Sequence, residues 1–334
     1  MNAKKTKKIV LLATGGTIAG MAADAKQPQH YKAGVLPVGH LLAAVSQPFL
    51  SRHGVTLQAE QVAQIDSKDM STNIWQDLTR RLLDWLNNEE VHAVVITHGS
   101  DTLEETAYFL QAVLTPQKPV VLTCAMRPAN AADSDGSANL HDAVLVAAQP
   151  ELRGVVTVCG GSVHPGHLVQ KIQSHDLLPF VSVGGPVARV VNGKFLDLRP
   201  MPSMQALWDM PSPQEVLKAR VWPRVELVVN HAGATGDNVR DMMNAKHPPA
   251  AWVVAGTGNG TLHHALQSAL SDAQSRGARV VRTTRCALGH VTDLPDDAFM
   301  SAGQLTPVQA RVALQLALIK QAATTSAASK PSSS

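Results

Sequence analysis

The chain has 334 residues, of which 45% are hydrophobic and 16% charged, as is typical of a globular chain long enough for two domains. Its formal net charge is +3, and no arginine stripe interleaved with aromatics accompanies it, so we do not expect nucleic acid as a partner. No apolar run approaches the roughly 20 residues of a membrane span, and we expect no membrane association.

The chain opens with several lysines and the apolar run IVLLA, which together resemble the start of a signal peptide. The run is short, however, and it continues into a glycine turn instead of a small-residue cleavage site. We therefore interpret Ile9–Ala13 as the first strand. The three cysteines are odd in number and widely spaced, which argues against a disulfide framework or a zinc knuckle. We expect a cytoplasmic protein, with a periplasmic form that has lost its leader as the open alternative.

Short apolar runs alternate with helical patterns along the chain, which predicts an α/β fold. The predicted strands are Ile9–Ala13, Ala93–Thr97, Val120–Cys124, Val155–Cys159, Val225–Asn230, Trp252–Ala255 and Val280–Thr283. The predicted helices are Trp75–Leu86, Leu103–Val113, Asn139–Ala148, Asn238–Asn244, Leu262–Ser275 and Pro307–Lys320. Continuously apolar strands joined by helices indicate a mostly parallel sheet with both faces covered.

The alternation weakens over residues 184–224, a segment rich in proline. We therefore expect a larger N-terminal domain over residues 1–190, with a mostly parallel sheet covered by helices. A linker is expected over 191–223 and a smaller C-terminal α/β domain over 224–321. The low-complexity sequence of 322–334 predicts a disordered tail.

Two stretches place hydroxyl groups directly after predicted strands. In ATGGTIAG, two glycines allow a sharp turn and Thr14 and Thr17 flank them, although an ordinary strand-to-helix turn explains this stretch by itself. In VVITHGSDTLEETAYFL, Ser100 and Asp101 follow the strand, and Thr102 with Glu105 has the spacing of a capping box. Capping accounts for one polar side chain but not for three. Because ligands bind outside the carboxyl ends of parallel strands, we predict a crevice shared by both stretches.

Four motifs carry a family resemblance: ATGGTIAG, ITHGSDTLEETAYFL, AMRPANAADSDGSANL and AGTGNG, in that order. Together they resemble the bacterial L-asparaginases of the asparaginase/glutaminase family, with the second motif closest to the type II branch. The resemblance extends from about Lys8 to Lys320. It implies hydrolysis of a side-chain amide to a carboxylate and ammonia, without a metal or an organic cofactor.

The resemblance also implies the catalytic residues. Thr17 matches the nucleophile on a mobile N-terminal loop, about residues 20–34, and Tyr31 in PQHYKAG matches its partner. A threonine hydroxyl needs such a partner to take its proton, and a closing loop excludes water. Ser100, Asp101 and Lys171 match a hydroxyl–carboxylate–lysine triad. A lysine that acts as a base has to lose its proton, which burial favours.

The binding residues are implied in the same way. Asp101 matches the carboxylate that binds the substrate α-amino group, and Ser67 in IDSKDM matches the serine that binds the α-carboxylate. The backbone around Ala125 is expected beside the leaving amide. Asn259 in GTGNG matches a residue that reaches the site from a neighbouring subunit, so the resemblance implies a homo-oligomer, with a tetramer built as a dimer of dimers.

Three departures from the family pattern bear on activity, on α-carboxylate binding and on substrate preference, in that order. Ser100 stands where threonine is usual, so the methyl group that fixes the hydroxyl rotamer is missing. Lys68 replaces the usual glutamine beside the binding serine, where its charge either strengthens α-carboxylate binding or points to solvent. The loop GHVTDLPDDAF places Leu294 at a family glutamate, with Asp293 adjacent.

The leading hypothesis is an amidohydrolase that acts on L-asparagine and prefers it to glutamine. A mixed glutaminase-asparaginase and a non-catalytic amino-acid sensor on the same fold are the alternatives, since a fold alone does not determine function.

Overall fold

The structure is a computed structural model that describes residues 6–25, 27, 29–204 and 206–328, and the chain divides into two compact units after Met204. This division falls inside the segment predicted as a linker, residues 191–223. That segment contains regular structure, namely a strand of the first unit and a short helix of the second. The predicted boundaries at 190 and 224 therefore differ from the division in the structure.

The first unit contains one large sheet and two short antiparallel ladders. Its strands are β1 (Lys7–Gly15), β2 (Met21–Ala22), β3 (Tyr31–Lys32), β4 (Val55–Ile65), β5 (Val91–Thr97), β6 (Val120–Thr123), β7 (Val155–Cys159), β8 (Ser162–Pro165), β9 (Val169–Lys171), β10 (Phe180–Ser182), β11 (Ala188–Val191) and β12 (Lys194–Leu196). Its helices are α1 (Val38–Ala44), α2 (Gln47–His53), α3 (Thr72–Asn87), α4 (Leu103–Leu114) and α5 (Gly136–Ala147).

The large sheet has the strand order β12-β11-β8-β7-β6-β5-β1-β4. Strands β4, β1, β5, β6 and β7 are parallel, while β8, β11 and β12 continue the sheet in antiparallel pairs. The prediction of a mostly parallel sheet covered by helices is confirmed. This order makes β1 the neighbour of β5, and β5 the neighbour of β6, so the carboxyl ends of these three strands lie side by side.

Helices cover both faces of the sheet, as the continuously apolar strands require. Ile9, Leu11 and Ala13 of β1 belong to a buried cluster that also contains residues of α1, α2 and α5. Successive side chains of a strand point to opposite faces, so Val10 and Leu12, which are fully buried, face the other side. There α3 and α4 pack on the strands and on each other.

Strand β4 was not predicted from the sequence. Its segment VTLQAEQVAQI lacks a continuous apolar run, because β4 is the edge strand beside β1 and most of its residues are only partly buried. The strands from β8 to β12 were missed for a related reason. They are three or four residues long, which is too short for a periodic pattern to emerge.

The second unit is a smaller α/β domain, as predicted. Its strands are β13 (Val225–Val229), β14 (Ala251–Gly256), β15 (Arg279–Thr284) and β16 (Met300–Ser301), and its helices are α6 (Pro213–Lys218), α7 (Asp237–Met243), α8 (His264–Ser275) and α9 (Pro307–Ala328). All four strands are parallel. The predicted tail begins too early, because α9 continues through its alanine-rich end to Ala328, and alanine favours helix. Residues 329–334 of that prediction lie outside the described chain.

Candidate active site

The glycine turn after β1 places Thr17 at the rim of the sheet. Gly15 and Gly16 have φ values of +106° and +79°, in the left-handed region that favours glycine. A Cβ atom on Gly15 would lie 2.3 Å from Ile65 O, and one on Gly16 would lie 2.4 Å from Gly99 Cα. The turn therefore passes directly against the backbone on both sides. Thr17 follows it in a 3-10 turn and is 7% exposed.

The two threonines of the turn have different partners. Thr14 Oγ1 donates to Thr97 O at 3.0 Å and so joins the ends of β1 and β5, which is a structural role. Thr17 Oγ1 lies 2.7 Å from Tyr31 Oη, and either oxygen can be the donor. When Thr17 donates, Tyr31 polarises its O–H bond, which is the orientation that a nucleophile requires.

Tyr31 is presented by a small hairpin. It lies in β3 opposite Ala22 of β2, and the side-chain amide of Asn130 bonds both backbone groups of Ala22 at 2.9 Å. A Cβ atom on Gly20 would lie 3.0 Å from Tyr31 Cδ2, so this glycine leaves room for the ring. The hairpin holds the hydroxyl against Thr17 although the side chain is 39% exposed. Lys26 and Pro28 of the predicted mobile loop lie outside the described residues.

Ser100 and Asp101 begin a 3-10 turn that directly follows β5. The Asp101 backbone N–H donates to Ser67 Oγ at 3.2 Å, which joins this turn to the segment after β4. A Cβ atom on Gly99 would lie 2.4 Å from Ser67 Oγ. A glycine at position 99 is therefore required for the buried Ser67 to approach the Ser100 turn so closely.

The predicted capping box of α4 is wrong in its hydrogen bonds, although the helix does begin at Leu103. Thr102 Oγ1 donates to Ser67 O at 2.8 Å and makes no side-chain bond to the first turn of α4. The Thr102 backbone, with φ −121° and ψ 18°, also lacks the extended conformation typical of an N-cap. Thr102 thus connects the Ser100 turn to the segment after β4.

Lys171 completes the predicted triad from strand β9. Its Nζ atom lies 2.8 Å from Ser100 Oγ and 2.6 Å from Asp101 Oδ1, and its side chain is 16% exposed. The ladder of β9 with β10 fixes the backbone of Lys171 opposite Phe180. Lys171 is thereby joined in one hydrogen-bonded group with two adjacent residues that precede it by 71 and 70 positions.

A partly buried carboxyl group contacts the backbone of this triad. Glu104 Oε2 in α4 accepts from the backbone N–H of Lys171 at 3.1 Å. Burial raises the pKa of Glu104 to about 7, partly offset by that hydrogen bond. Glu104 thus ties α4 to β9, and it changes its charge close to neutral pH.

A buried chain of hydrogen bonds supports the backbone before Ser100. His98 Nδ1 lies 2.7 Å from Gly99 O, so this nitrogen carries the proton, because a carbonyl only accepts. Thr106 Oγ1 accepts from Trp75 Nε1 at 2.9 Å and so donates to His98 Nε2 at 3.0 Å. Burial lowers the pKa of His98 to about 4, so the ring is neutral and the chain is fully satisfied at pH 7.

One cavity of about 520 Å³ collects these groups. Six predicted site residues line it, namely Thr17, Tyr31, Ser100, Asp101, Ala125 and Lys171. Arg127 and Asp133 also line it and pair with each other, with Nε and Oδ2 3.0 Å apart. The cavity therefore offers two hydroxyl groups, each with its own partner, and charges of both signs for a small zwitterion.

Two further predicted residues lie beside the cavity. Ser67 is 2% exposed and contacts the Ser100 turn through the bonds described above. The Lys68 side chain is 62% exposed, and its Nζ lies 2.7 Å from Asp69 Oδ2 and 3.5 Å from Asp66 Oδ2. The hydrogen bond with Asp69 raises the pKa of Lys68. Two carboxylates of its own segment thus offset its charge.

Asn259, in the second unit, is bonded within its own unit. Its side-chain amide accepts from Thr292 N at 2.8 Å and donates to Thr292 O at 3.1 Å. The neighbouring Asp293 carboxylate accepts from Ser301 N at 2.9 Å and from Ser301 Oγ at 3.0 Å. Leu294, at the family glutamate position, is 57% exposed.

Sequence reasoning missed the polar groups that support the site, among them Glu104, Asp135 and Asn139. All three lie within the four motifs that carry the family resemblance. For the last two, the available signal was an aspartate four residues before the predicted helix Asn139–Ala148, a spacing that puts Asp135 and Asn139 on one face if the helix begins a turn earlier.

The comparisons with known proteins cover nearly the whole chain. Models of the asparaginase N-terminal domain and of the glutaminase/asparaginase C-terminal domain match residues 8–201 and 224–328. The chain belongs to the asparaginase family. The resemblance inferred from the four motifs is therefore confirmed.

Two curated members of the asparaginase family match along most of their length. L-asparaginase 2 of Escherichia coli (strain K12) is 37% identical, with 93% of this chain and 88% of that protein covered. Glutaminase-asparaginase of Pseudomonas fluorescens biotype A is 33% identical, with 95% and 87% covered. A crystal structure described as a probable cytoplasmic L-asparaginase from Campylobacter jejuni matches with a TM-score of 0.86 and 32% identity, covering 94% of this chain and 96% of that one.

Within residues 6–328, apart from the undescribed positions 26, 28 and 205, we find no helix with the length and apolar character that a membrane span needs.

Proposed function

We propose that this chain hydrolyses the side-chain amide of L-asparagine to L-aspartate and ammonia. The observation that carries the proposal is the pair of buried hydroxyl groups in one cavity, Thr17 with Tyr31 at 2.7 Å and Ser100 with Lys171 at 2.8 Å. Two activated hydroxyls suit a reaction with two half-reactions. Family membership and relatives named L-asparaginase support the same substrate.

In the first half-reaction, Thr17 Oγ1 attacks the amide carbon. Its proton passes to Tyr31, which returns a proton to the departing nitrogen. The C–N bond then breaks, leaving an ester of Thr17 and free ammonia. In the second half-reaction a water molecule adds to the ester while Ser100 and Lys171 take its proton. As the ester C–O bond breaks, the proton held by Ser100 and Lys171 passes to Thr17 Oγ1, which regenerates the hydroxyl, and L-aspartate leaves.

The ion pair of Lys171 with Asp101 bears on the second step. Lys171 Nζ lies 2.6 Å from Asp101 Oδ1, so the two side chains hold each other in the cavity. The α-ammonium group of asparagine competes for the Asp101 carboxylate when the substrate binds. Lys171 then acts through Ser100, whose Oγ lies 2.8 Å from its Nζ.

The remaining roles follow the family pattern. Asp101 binds the α-amino group, Ser67 presents the α-carboxylate site, and Ala125 lies beside the leaving amide. Lys68 contributes at long range only, since Asp66 and Asp69 already pair with it.

We also propose a homotetramer built as a dimer of dimers, in which Asn259 reaches a neighbouring subunit's site. Because both ends of the Asn259 amide bond Thr292, it would do so together with that loop. The N-terminal loop of residues 20–34 closes over bound substrate. The cytoplasm stays our predicted location, although a Haemophilus influenzae relative is named a probable periplasmic L-asparaginase.

A mixed glutaminase-asparaginase is the second candidate. Three relatives between 31% and 33% identical carry that name. In this chain Leu294 replaces the family glutamate, and the neighbouring Asp293 carboxylate accepts from Ser301 N and Oγ. We nevertheless expect asparagine to be preferred.

The test is ammonia release from L-asparagine, L-glutamine and their D-isomers, each with the wild type and with Thr17→Ala. We expect the highest kcat/KM for L-asparagine and the loss of several orders of magnitude in the variant. Thr14→Ala is the matched control, since its hydroxyl bonds only a backbone carbonyl. Equal or higher kcat/KM for glutamine would establish the second candidate. Amino-acid binding without ammonia release would establish a sensor, and an acyl group trapped on Ser100 would reverse the order of attack.

A further inference from the structure

One wall of the cavity is a backbone segment in which side chains bond the carbonyls of Cys124 and Met126 and the N–H groups of Met126 and Arg127. Residues 124–127 follow β6, and Ala125 in this segment is fully buried at the cavity. Asn139 Nδ2 donates to Cys124 O at 3.0 Å, and Arg127 Nη1 donates to Met126 O at 3.3 Å. The carbonyl between them, Ala125 O, accepts no hydrogen bond from the described residues.

Asp135 holds the same segment through its N–H groups. Both of its carboxylate oxygens lie 3.0 Å from Met126 N, and Oδ1 accepts from Arg127 N at 2.9 Å. Asp135 occupies the N-cap position of α5, where an aspartate ordinarily accepts from a backbone N–H of the first turn, but its side chain makes no such capping bond within the described helix. The backbone N–H groups that the carboxylate binds belong to the cavity wall instead.

Asn139 lies one turn further along α5 and connects Asp135 to the backbone of residues 124 and 160. Its Nδ2 also donates to Asp135 Oδ2 at 2.9 Å, and its Oδ1 accepts from Gly160 N at 3.0 Å. Asn139 is 2% exposed, and only one orientation of its amide points Nδ2 at Cys124 O and Asp135 Oδ2, and Oδ1 at the Gly160 N–H. A Cβ atom on Gly136 would lie 3.4 Å from Ala125 Cβ and 3.1 Å from Ile18 Cγ1, so a glycine permits this close approach of α5.

We propose that Asp135 and Asn139 are a positioning pair that presents the Ala125 carbonyl to the nitrogen of the leaving amide. The inference rests on the proposed amide hydrolysis. A buried carbonyl without a donor is costly unless the ligand supplies one, and the amide N–H of asparagine does so. As the departing nitrogen gains a proton and positive charge, its bond to this carbonyl strengthens. The pair therefore acts mainly on the transition state, and its effect should appear in kcat.

The experiment compares an amide with an ester that has the same acyl group. L-Asparagine offers an N–H at the leaving atom, whereas the β-methyl ester of L-aspartate leaves as methanol and offers none there. For Asp135→Ala we expect kcat/KM for asparagine to fall about 10- to 100-fold, the range of a hydrogen bond to a charged group. Ester hydrolysis and the inhibition constant of L-aspartate should change less than about threefold, because neither involves an N–H at that position.

Two further variants keep the test decisive. Asp135→Asn retains the side-chain shape but leaves one acceptor oxygen for three donors, so an intermediate loss is expected even if Asp135→Ala folds poorly. Asp142→Ala is the matched control on the same helix, and it should leave both substrates unaffected.

The outcomes separate this inference from the proposed function. Equal losses for amide and ester, or loss of aspartate binding, would assign Asp135 a structural role only and overturn the inference while leaving the amidohydrolase intact. A wild type that hydrolyses neither substrate would overturn the proposed function and this inference together.

Discussion

Replacing Tyr31 by phenylalanine removes one hydroxyl group and little else. Among the described residues, the hydroxyl makes a single hydrogen bond, to Thr17 Oγ1 at 2.7 Å, and Tyr31 is 39% exposed. Net stabilisation by a partly exposed neutral hydrogen bond is at most about 1 kcal/mol. We therefore expect the free energy of unfolding of Tyr31→Phe to stay within about 1 kcal/mol of the wild type.

The expected effect on catalysis is much larger. If Tyr31 takes the Thr17 proton during attack, its loss removes a general base that contributes about 100- to 10,000-fold. At about 1.4 kcal/mol per factor of ten, this raises the activation free energy by roughly 3 to 5 kcal/mol. The expected rise in activation free energy is thus several times larger than the expected loss in the free energy of unfolding. The KM for asparagine should change little, since the hydroxyl acts on the enzyme's own nucleophile.

The chain supplies a matched control, because Tyr108 is its only other tyrosine. Tyr108 is 1% exposed in α4, and burial raises the pKa of its hydroxyl. Tyr108→Phe should leave kcat unchanged. The assay is ammonia release under saturating asparagine, paired with urea denaturation of each variant. A Tyr31→Phe enzyme with wild-type kcat, or one whose stability falls as far as its activity, would refute the assignment of Tyr31 to proton transfer.

Three other changes test the groups around Ser100. Lys171→Met should block the second half-reaction, so that rapid-quench experiments release about one equivalent of ammonia per site and then stop; steady turnover near the wild-type rate would contradict this. Ser100→Thr restores the usual family residue and should keep or raise kcat, since the added methyl fixes the hydroxyl rotamer; a tenfold loss would show that this cavity is fitted to serine. Glu104→Gln should gain stability over the wild type as the pH rises from 4.5 to about 7. Between these two pH values Glu104 is ionised in the unfolded state but still protonated in the native state, so the wild type loses stability that the glutamine variant keeps. The loss is roughly 3 kcal/mol at pH 8 and zero below pH 4.5. Urea denaturation at pH 4.5 and pH 8 measures this, and a difference independent of pH would disprove it.

The fold class and the main strands could be read from the sequence because their signal is local. Ile9–Ala13 and Val120–Cys124 are continuously apolar, and a strand buried on both faces requires that composition. Strand β4 carries no such signal, because an edge strand keeps part of its surface in contact with solvent. Its place beside β1 follows from pairing across about 50 residues, which no local pattern encodes.

The same distinction between local signals and long-range contacts applies to the candidate active site. The order of residues along the chain shows that hydroxyl groups follow two predicted strands, and the four motifs indicate the family to which those groups belong. That Thr17 and Ser100 line one cavity depends on β1 and β5 being neighbours in the folded chain. The fold also brings Lys171 to both Ser100 and Asp101, and it brings the Asp135 carboxylate to the N–H groups of the cavity wall. These outcomes depend on the order of strands and on hydrogen bonds between distant segments, whereas residue periodicity specifies only which face of each element is buried.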